Sequence, residues 1–377
     1  MPSAPPKVET MPLRDPHPAG KSTIFGLQAL RFWAAAMVVV THALNREVNA
    51  YHPFPLPRAP WMESGVDIFF VISGFIMVYI LRPESRAGDF WLQRFTRIVP
   101  LYWLATLVAF LGGLVLPDWF FGTPDPLATL QSLLFVPMGP QSWPHPLISP
   151  GWTLNYEFAF YTILALCLAI RRPPFATAAV VIITITAIGP LLAGRLFFLG
   201  YYSDQAQMLE FLFGMGAAVL WREHRFQPWQ GLAMAVLGMV LIYFLWEFKL
   251  EWPRGIKAGL PAFLVVFGAL VSEPIWRRSA ALQQVARLGD ASYSIYIVHY
   301  FFVTAIATLF ARNQAIHDAV GPVGFTVLMV VVGIGAGILA HIYVERPLLR
   351  LVRSWLPGHR RTERPPQGSL AVAQPRG

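Results

Sequence analysis

The chain has very little cysteine and very little charge. One cysteine, Cys167, in 377 residues excludes a disulfide within the chain and argues against a zinc site built on thiolates. Only 13% of the residues are charged, too few for the solvated surface of a soluble protein of this length. Signatures of several enzyme classes are also missing. There is no Walker A loop for phosphates, no paired-histidine zinc motif and no complete Gly-x-Ser-x-Gly elbow. The segment Val71-Ile-Ser-Gly-Phe lacks the first glycine of that elbow, so Ser73 and Gly74 read as residues that let helices pack closely, as do Gly333 and Gly337. No repeat is clear enough to divide the chain into inverted halves, which weakens a secondary-transporter reading.

What is abundant is apolar: 55% of the residues are hydrophobic. Apolar stretches fall near 24–45, 62–81, 98–116, 151–170, 174–194, 205–221, 229–246, 257–272, 289–311 and 320–344, each about the length that crosses ~30 Å of hydrocarbon as a helix. The fold class expected is therefore all-α, a polytopic membrane protein with about ten transmembrane helices. Leu127–Val136 is apolar but too short to span. An even number of spans puts both termini on one side, and placing them in the cytoplasm leaves only Arg46, Arg58, Arg195, Lys249, Arg254, Lys257 and Arg312 of the 29 Lys and Arg residues outside. The net charge of +9 thus reads as orientation in a membrane, with no nucleic-acid partner needed. Residues 1–23 read as a disordered cytoplasmic head, 24–347 as the membrane domain, and 348–377 as a basic, Pro-rich cytoplasmic tail.

Ionisable residues inside spans cost about 2.5–3.5 kcal/mol each on insertion scales, so they form a functional shortlist. They are Arg31, His42, Asp67, Glu157, Glu210, His299 and His341. Arg31 and His42 are eleven residues apart, almost three helical turns, and share one face with His42 about 16 Å further along. Asp67, Glu157 and Glu210 lie with His42 toward the outer ends of their helices. Arg94 and Arg97, three apart, share a face at the start of the third span, where they serve either orientation or an anionic ligand held by bidentate guanidinium contacts. Tyr296 and His299 share a face of the ninth span, lining a tunnel or bonding between helices. The outer loop 117–150 has no Lys or Arg, eight prolines and the aromatics Trp119, Phe120, Phe121 and Trp143. It reads as a membrane-surface anchor or as a lid whose rings stack on a sugar.

Six short patterns occur in order: Leu30-Arg31 through Thr41-His42; Gly65-Val-Asp-Ile-Phe-Phe-Val-Ile-Ser-Gly-Phe; Arg94-Phe-Thr-Arg97; Pro150-Gly-Trp-Thr-Leu-Asn-Tyr-Glu157; Ser292-Tyr-Ser-Ile-Tyr-Ile-Val-His299; and Val344-Glu-Arg-Pro347. Together they resemble the membrane-bound acyltransferase-3 family, most closely members that acylate bacterial exopolysaccharides. The resemblance implies transfer of an acyl group, acetyl above all, from cytoplasmic acyl-CoA to a hydroxyl of an exopolysaccharide or other envelope glycan. It also implies residence in the bacterial inner membrane. The position of His42 is implied to be catalytic, and those of Arg31, Arg94 and Arg97 to serve the anionic donor. A neutral imidazole can act as base toward a sugar hydroxyl or carry the acyl group between two half-reactions. Asp67 and Glu157 are expected to orient that ring, with Tyr296 and His299 on the donor path and no metal involved. Acceptor saccharide, lipid, and polysaccharide synthesis or export proteins are the partners expected. A transporter or flippase for a lipid-linked saccharide would share the helices and buried charges but need no acyl donor. A structural subunit of an export complex would instead change how much polymer is secreted.

Overall fold

The computed structural model describes residues 23–50, 56–81, 84–137, 146–223 and 226–355. Among the described residues there is no β-strand. The long helices in chain order are α1 (Phe25–Ala50), α2 (Gly65–Ile80), α3 (Ala87–Val115), α4 (Trp152–Ala169), α5 (Pro174–Leu192), α6 (Leu209–Glu223), α7 (Pro228–Glu247), α8 (Gly259–Val271), α9 (Ser292–Arg312) and α10 (Gln314–Ala340), followed by α11 (Arg346–Trp355). Every expected span thus has a helix. By length and apolarity, however, eight described segments qualify to cross a membrane, and α4 and α6 are not among them. α4 carries Asn155, Tyr156, Glu157 and Tyr161, and α6 is only 15 residues long because a tight turn at Gln205 and Ala206, both at positive φ, precedes it.

Side chains on the outer helices confirm what solvates them. Leu191 is 82% exposed, Val115 76% and Val236 62%. Such a belt of apolar side chains is stable against lipid tails and would be an aggregation surface in water. This is a multi-pass membrane protein. Between helices, lipid supplies no hydrophobic drive, so association rests on close packing and interhelical hydrogen bonds. Gly74 and Gly214 provide the first. A Cβ on Gly74 would lie 2.1 Å from the Phe211 carbonyl, and one on Gly214 2.0 Å from that of Val71, so α2 and α6 touch backbone to backbone.

α1 packs against α2, α8, α9 and α10, which makes it the axis of the bundle. Its first turn is held by a side chain from far along the chain: the Phe25 and Gly26 N–H groups donate to the two carboxylate oxygens of Glu273 at 3.0 and 2.9 Å. A carboxylate there satisfies orphan donors and complements the helix dipole. Arg277 holds the same carboxylate at 3.0 Å.

Three boundaries differ from the sequence reading. α3 begins at Ala87 rather than near 98 and runs through Pro100, so Arg94 and Arg97 sit within its opening turns rather than ahead of it. α10 is interrupted at Gly321, where φ is 66° just before Pro322, which explains an apolar run that seems to start only at 320. α11 continues through Trp355, so residues 348–355 of the expected tail are helical. Residues 1–22, 356–377 and Trp143 lie outside the described residues. Most of Leu127–Val136 lies in the eight-residue helix Pro126–Leu133, which Asp125 caps by accepting the Leu127 N–H at 3.0 Å.

Candidate active site

Arg31 and His42 do share a face of α1. Arg31 lines a recess of about 210 Å³ with Thr23, Gln28, Tyr79 and apolar neighbours. Toward the His42 end of the helix a recess of about 130 Å³ is lined by Thr41, Asn45, Arg58 and Glu63, among others, with His42 outside its lining.

His42 is partly exposed, and its ring meets α9. Its Nδ1 lies 2.8 Å from Nε2 of His299, with the two rings 24° from parallel. His299 is fully buried, and its other ring nitrogen, Nδ1, donates to the Ile295 carbonyl at 2.8 Å. The edge of Tyr300 packs on His42 at 5.1 Å between centroids. Arg46, one turn beyond His42, donates weakly to the Tyr300 and Thr304 hydroxyls at 3.5 and 3.4 Å. Phe121, in the connection between α3 and α4, stacks obliquely on Tyr300 and Phe301, so that connection lies beside the histidine pair. Close approach of α10 allows this geometry: Gly333 leaves room for His299, and Gly337 sits against the Ile295 backbone. The small-residue reading of both glycines acquires a purpose here.

The two carboxylates expected to orient His42 are engaged elsewhere. Asp67, fully buried, is held by Arg254 through two bonds of 3.0 Å, and Arg254 also reaches Glu63 at 3.5 Å and its carbonyl at 3.0 Å. Glu157 accepts from Ser73 at 2.9 Å and from the Tyr161 hydroxyl, its neighbour one turn on. Equal depth in the membrane does not place side chains on facing surfaces. The ring partner of His42 is His299, which sequence reasoning had put on the donor path. Tyr296 is likewise a tether: its hydroxyl donates to the Pro150 carbonyl at 3.1 Å and meets Thr153 Oγ at 2.9 Å, tying α9 to the start of α4.

At the other end of α1, Arg31 donates to Gln28 at 2.8 Å, and Gln28 in turn donates to Asp290 at 2.7 Å. The charges of Arg97, Asp290, Glu345 and Glu157 all act on Arg31, which places α3, α4 and the start of α9 around it. Among the described residues no carboxylate lies within ion-pairing distance of Arg31, Arg94 or Arg97. The Arg94 Nε is buried and has no hydrogen-bond partner. All three residues are half-buried, and only the Nε of Arg94 is closed off from any partner.

Glu345 accepts from Ser294 at 2.6 Å and His341 Nδ1 at 2.8 Å on one oxygen. It lies on a π-helical turn, His341–Glu345, whose wider pitch turns its side chain inward and has no readable sequence signal. Arg254 appears in the sequence only as one of the seven basic residues outside, yet it is the counter-ion of Asp67. Among the described residues no cluster of His, Cys, Asp and Glu is arranged to hold a metal ion.

A family model described as an acyltransferase domain matches residues 24–342. Over 311 residues the chain is 34% identical to the exopolysaccharide production protein ExoZ of Rhizobium meliloti strain 1021, covering 77% of this chain and 90% of that protein. It is 26% identical over 373 residues to acyltransferase MdmB of Streptomyces mycarofaciens, covering 86% of this chain and 92% of the relative. With the peptidoglycan O-acetyltransferase OatA of Listeria monocytogenes it shares 24% identity over 342 residues, 78% of this chain but 51% of OatA. No solved structure matches the chain. The domain match takes in Arg31, His42, Arg94, Arg97, Glu157 and His299, and with that breadth of likeness the chain belongs to the acyltransferase-3 family and is a membrane acyltransferase.

Proposed function

We propose that this protein moves an acyl group, acetyl above all, from acyl-CoA to a hydroxyl of an exopolysaccharide or another envelope glycan. In this reading it lies in the bacterial inner membrane with both termini in the cytoplasm, and 24–347 forms the catalytic domain between a short head and tail. The observation that carries the reading is the polar face of α1: guanidinium groups without counter-ions gather at the Arg31 end, and a paired imidazole stands about 16 Å away at the other. An extended thioester donor has this form, anionic at one end and reactive at the other.

Arg94 and Arg97 would hold donor phosphates, with the Arg31 recess receiving the start of the pantetheine arm. The arm would follow α1 to bring the thioester beside His42. His42 would take the proton of the acceptor hydroxyl as its oxygen attacks the thioester carbonyl carbon; the carbon–sulfur bond breaks, and that proton passes to the departing thiolate. The recess beside Thr41, Asn45 and Arg58 would receive the sugar, with Phe121 and Tyr300 alongside. Lipids surround the bundle, and polysaccharide synthesis or export proteins would deliver the acceptor. A saccharide carrier would have no use for unpaired arginines at the far end from its sugar.

Membranes supplied with radiolabelled acetyl-CoA should label polysaccharide. His42→Ala should remain in the membrane and lose the label, by about 10²-fold or more if imidazole acts as general base. Normal labelling by that variant would remove His42 from the chemistry. A mass comparison of polysaccharide from cells with and without the protein identifies the acyl group.

A further inference from the structure

The hydrogen bonds around the histidine pair determine which nitrogen of His42 can react. The Ile295 carbonyl has no proton to give, so the 2.8 Å contact requires His299 Nδ1 to be the donor. A neutral imidazole carries one ring proton, so His299 Nε2 is then an acceptor. Its 2.8 Å neighbour, His42 Nδ1, must therefore carry the proton of its own ring. The lone pair of His42 consequently stands on Nε2.

We propose that His299 is a positioning residue that fixes the reactive tautomer of His42, through a relay running from the Ile295 carbonyl to His299 and on to His42 Nε2. This rests on the acyl-transfer reading above and assigns its reacting atom. The relay performs the orienting task that a buried carboxylate performs for other catalytic histidines, but its partner on Nδ1 is a neutral ring. Both rings are held against rotation. α9 keeps His299 fully buried one turn from Ile295, Gly333 of α10 closes the space behind it, and the Tyr300 edge packs on His42. Titratable and charged groups that meet the pair include Tyr296 and Tyr300 on α9, with Arg46 on α1 reaching the Tyr300 hydroxyl. In the transfer step Nε2 takes the hydroxyl proton, the new charge is shared along the Nδ1–H bond into His299, and the proton then leaves to the thiolate.

The test is ¹⁵N solid-state NMR of histidine-labelled protein in lipid bilayers, with His42 assigned by subtracting the His42→Ala spectrum. In the intact protein His42 should show a protonated Nδ1 and a bare Nε2. His299→Leu, close to histidine in volume, should lose that fixed tautomer and drop kcat by about 10²-fold or more with the donor KM unchanged. His299→Gln, whose side-chain oxygen can accept from Nδ1, should restore the tautomer and most of the lost rate. A bare Nδ1 in the intact protein, or full activity in His299→Leu, would overturn the proposal. So would a failure of the Gln variant to recover rate while its His42 tautomer is intact. Because the spectrum is read without turnover, a protein that transfers nothing but shows this tautomer would refute the acyl-transfer reading and leave the relay standing.

Discussion

Arg254 and the trio Arg31, Arg94 and Arg97 are all arginines drawn into the body of a membrane protein, yet they are treated in opposite ways. Arg254 is well paired: two bonds to Asp67, one to the Glu63 carbonyl and an ion pair with the Glu63 side chain. The trio has no carboxylate in ion-pairing range among the described residues, and the Arg94 Nε is buried unsatisfied. A paired buried charge is part of the framework, joining the turn before α8 to α2. The trio is half-buried, so water reaches part of each guanidinium, and holding a donor anion there is what the proposed function asks of it.

The largest expected effect falls on the paired side. Asp67→Asn leaves Arg254 with only the longer, partly exposed ion pair to Glu63 and should destabilise the protein by about 3 kcal/mol, read as a lower melting temperature in detergent. Replacing both partners, Asp67→Leu with Arg254→Met, should restore much of the loss, because a buried pair exchanged for apolar side chains is often neutral. If Asp67→Asn melts like the parent but no longer transfers acyl groups, the carboxylate belongs to the chemistry and the contrast collapses. On the unpaired side the signs reverse. Arg94→Gln with Arg97→Gln should raise the donor requirement about tenfold or more, at about 1.5–3 kcal/mol per charged hydrogen bond, with melting unaltered. Unchanged donor dependence in purified protein would reduce both arginines to markers of orientation. The smallest effect is expected from Glu273→Gln, which keeps an acceptor at the start of α1 but loses the charge that complements the helix end and pairs with Arg277; about 1 kcal/mol of stability should go. A larger loss of transfer than of stability would mean that α1 must be held at its first turn for Arg31 and His42 to align.

The shared face of Arg31 and His42 was legible because it is a matter of spacing on one helix. Arg94 and Arg97 were legible as a pair for the same reason, although the true start of α3 was not, since Pro100 looks like a boundary and is tolerated inside the helix. His299 stood out as an ionisable residue in an apolar run, but its partner is 257 residues away and no local pattern announces it. The partner of Asp67 was not legible, because hydropathy gives depth alone. Depth places Asp67 level with His42; the rotation of α2, fixed by the Gly74–Gly214 contact with α6, decides that it meets Arg254. The contacts of Glu345 had no sequence signal, because a π-turn changes which way a residue faces without changing the sequence pattern.

The sequence by itself determined the solvent, the number of apolar runs, the one face of α1 that carries charge, and the family. Each of these follows from composition, from a period along a single helix, or from short motifs in order. Which charges have a partner in range and which do not, and which nitrogen of His42 faces His299, were decided only by tertiary structure. Those are properties of distances between helices remote in sequence, and electrostatics and hydrogen bonding depend on such distances rather than on order along the chain.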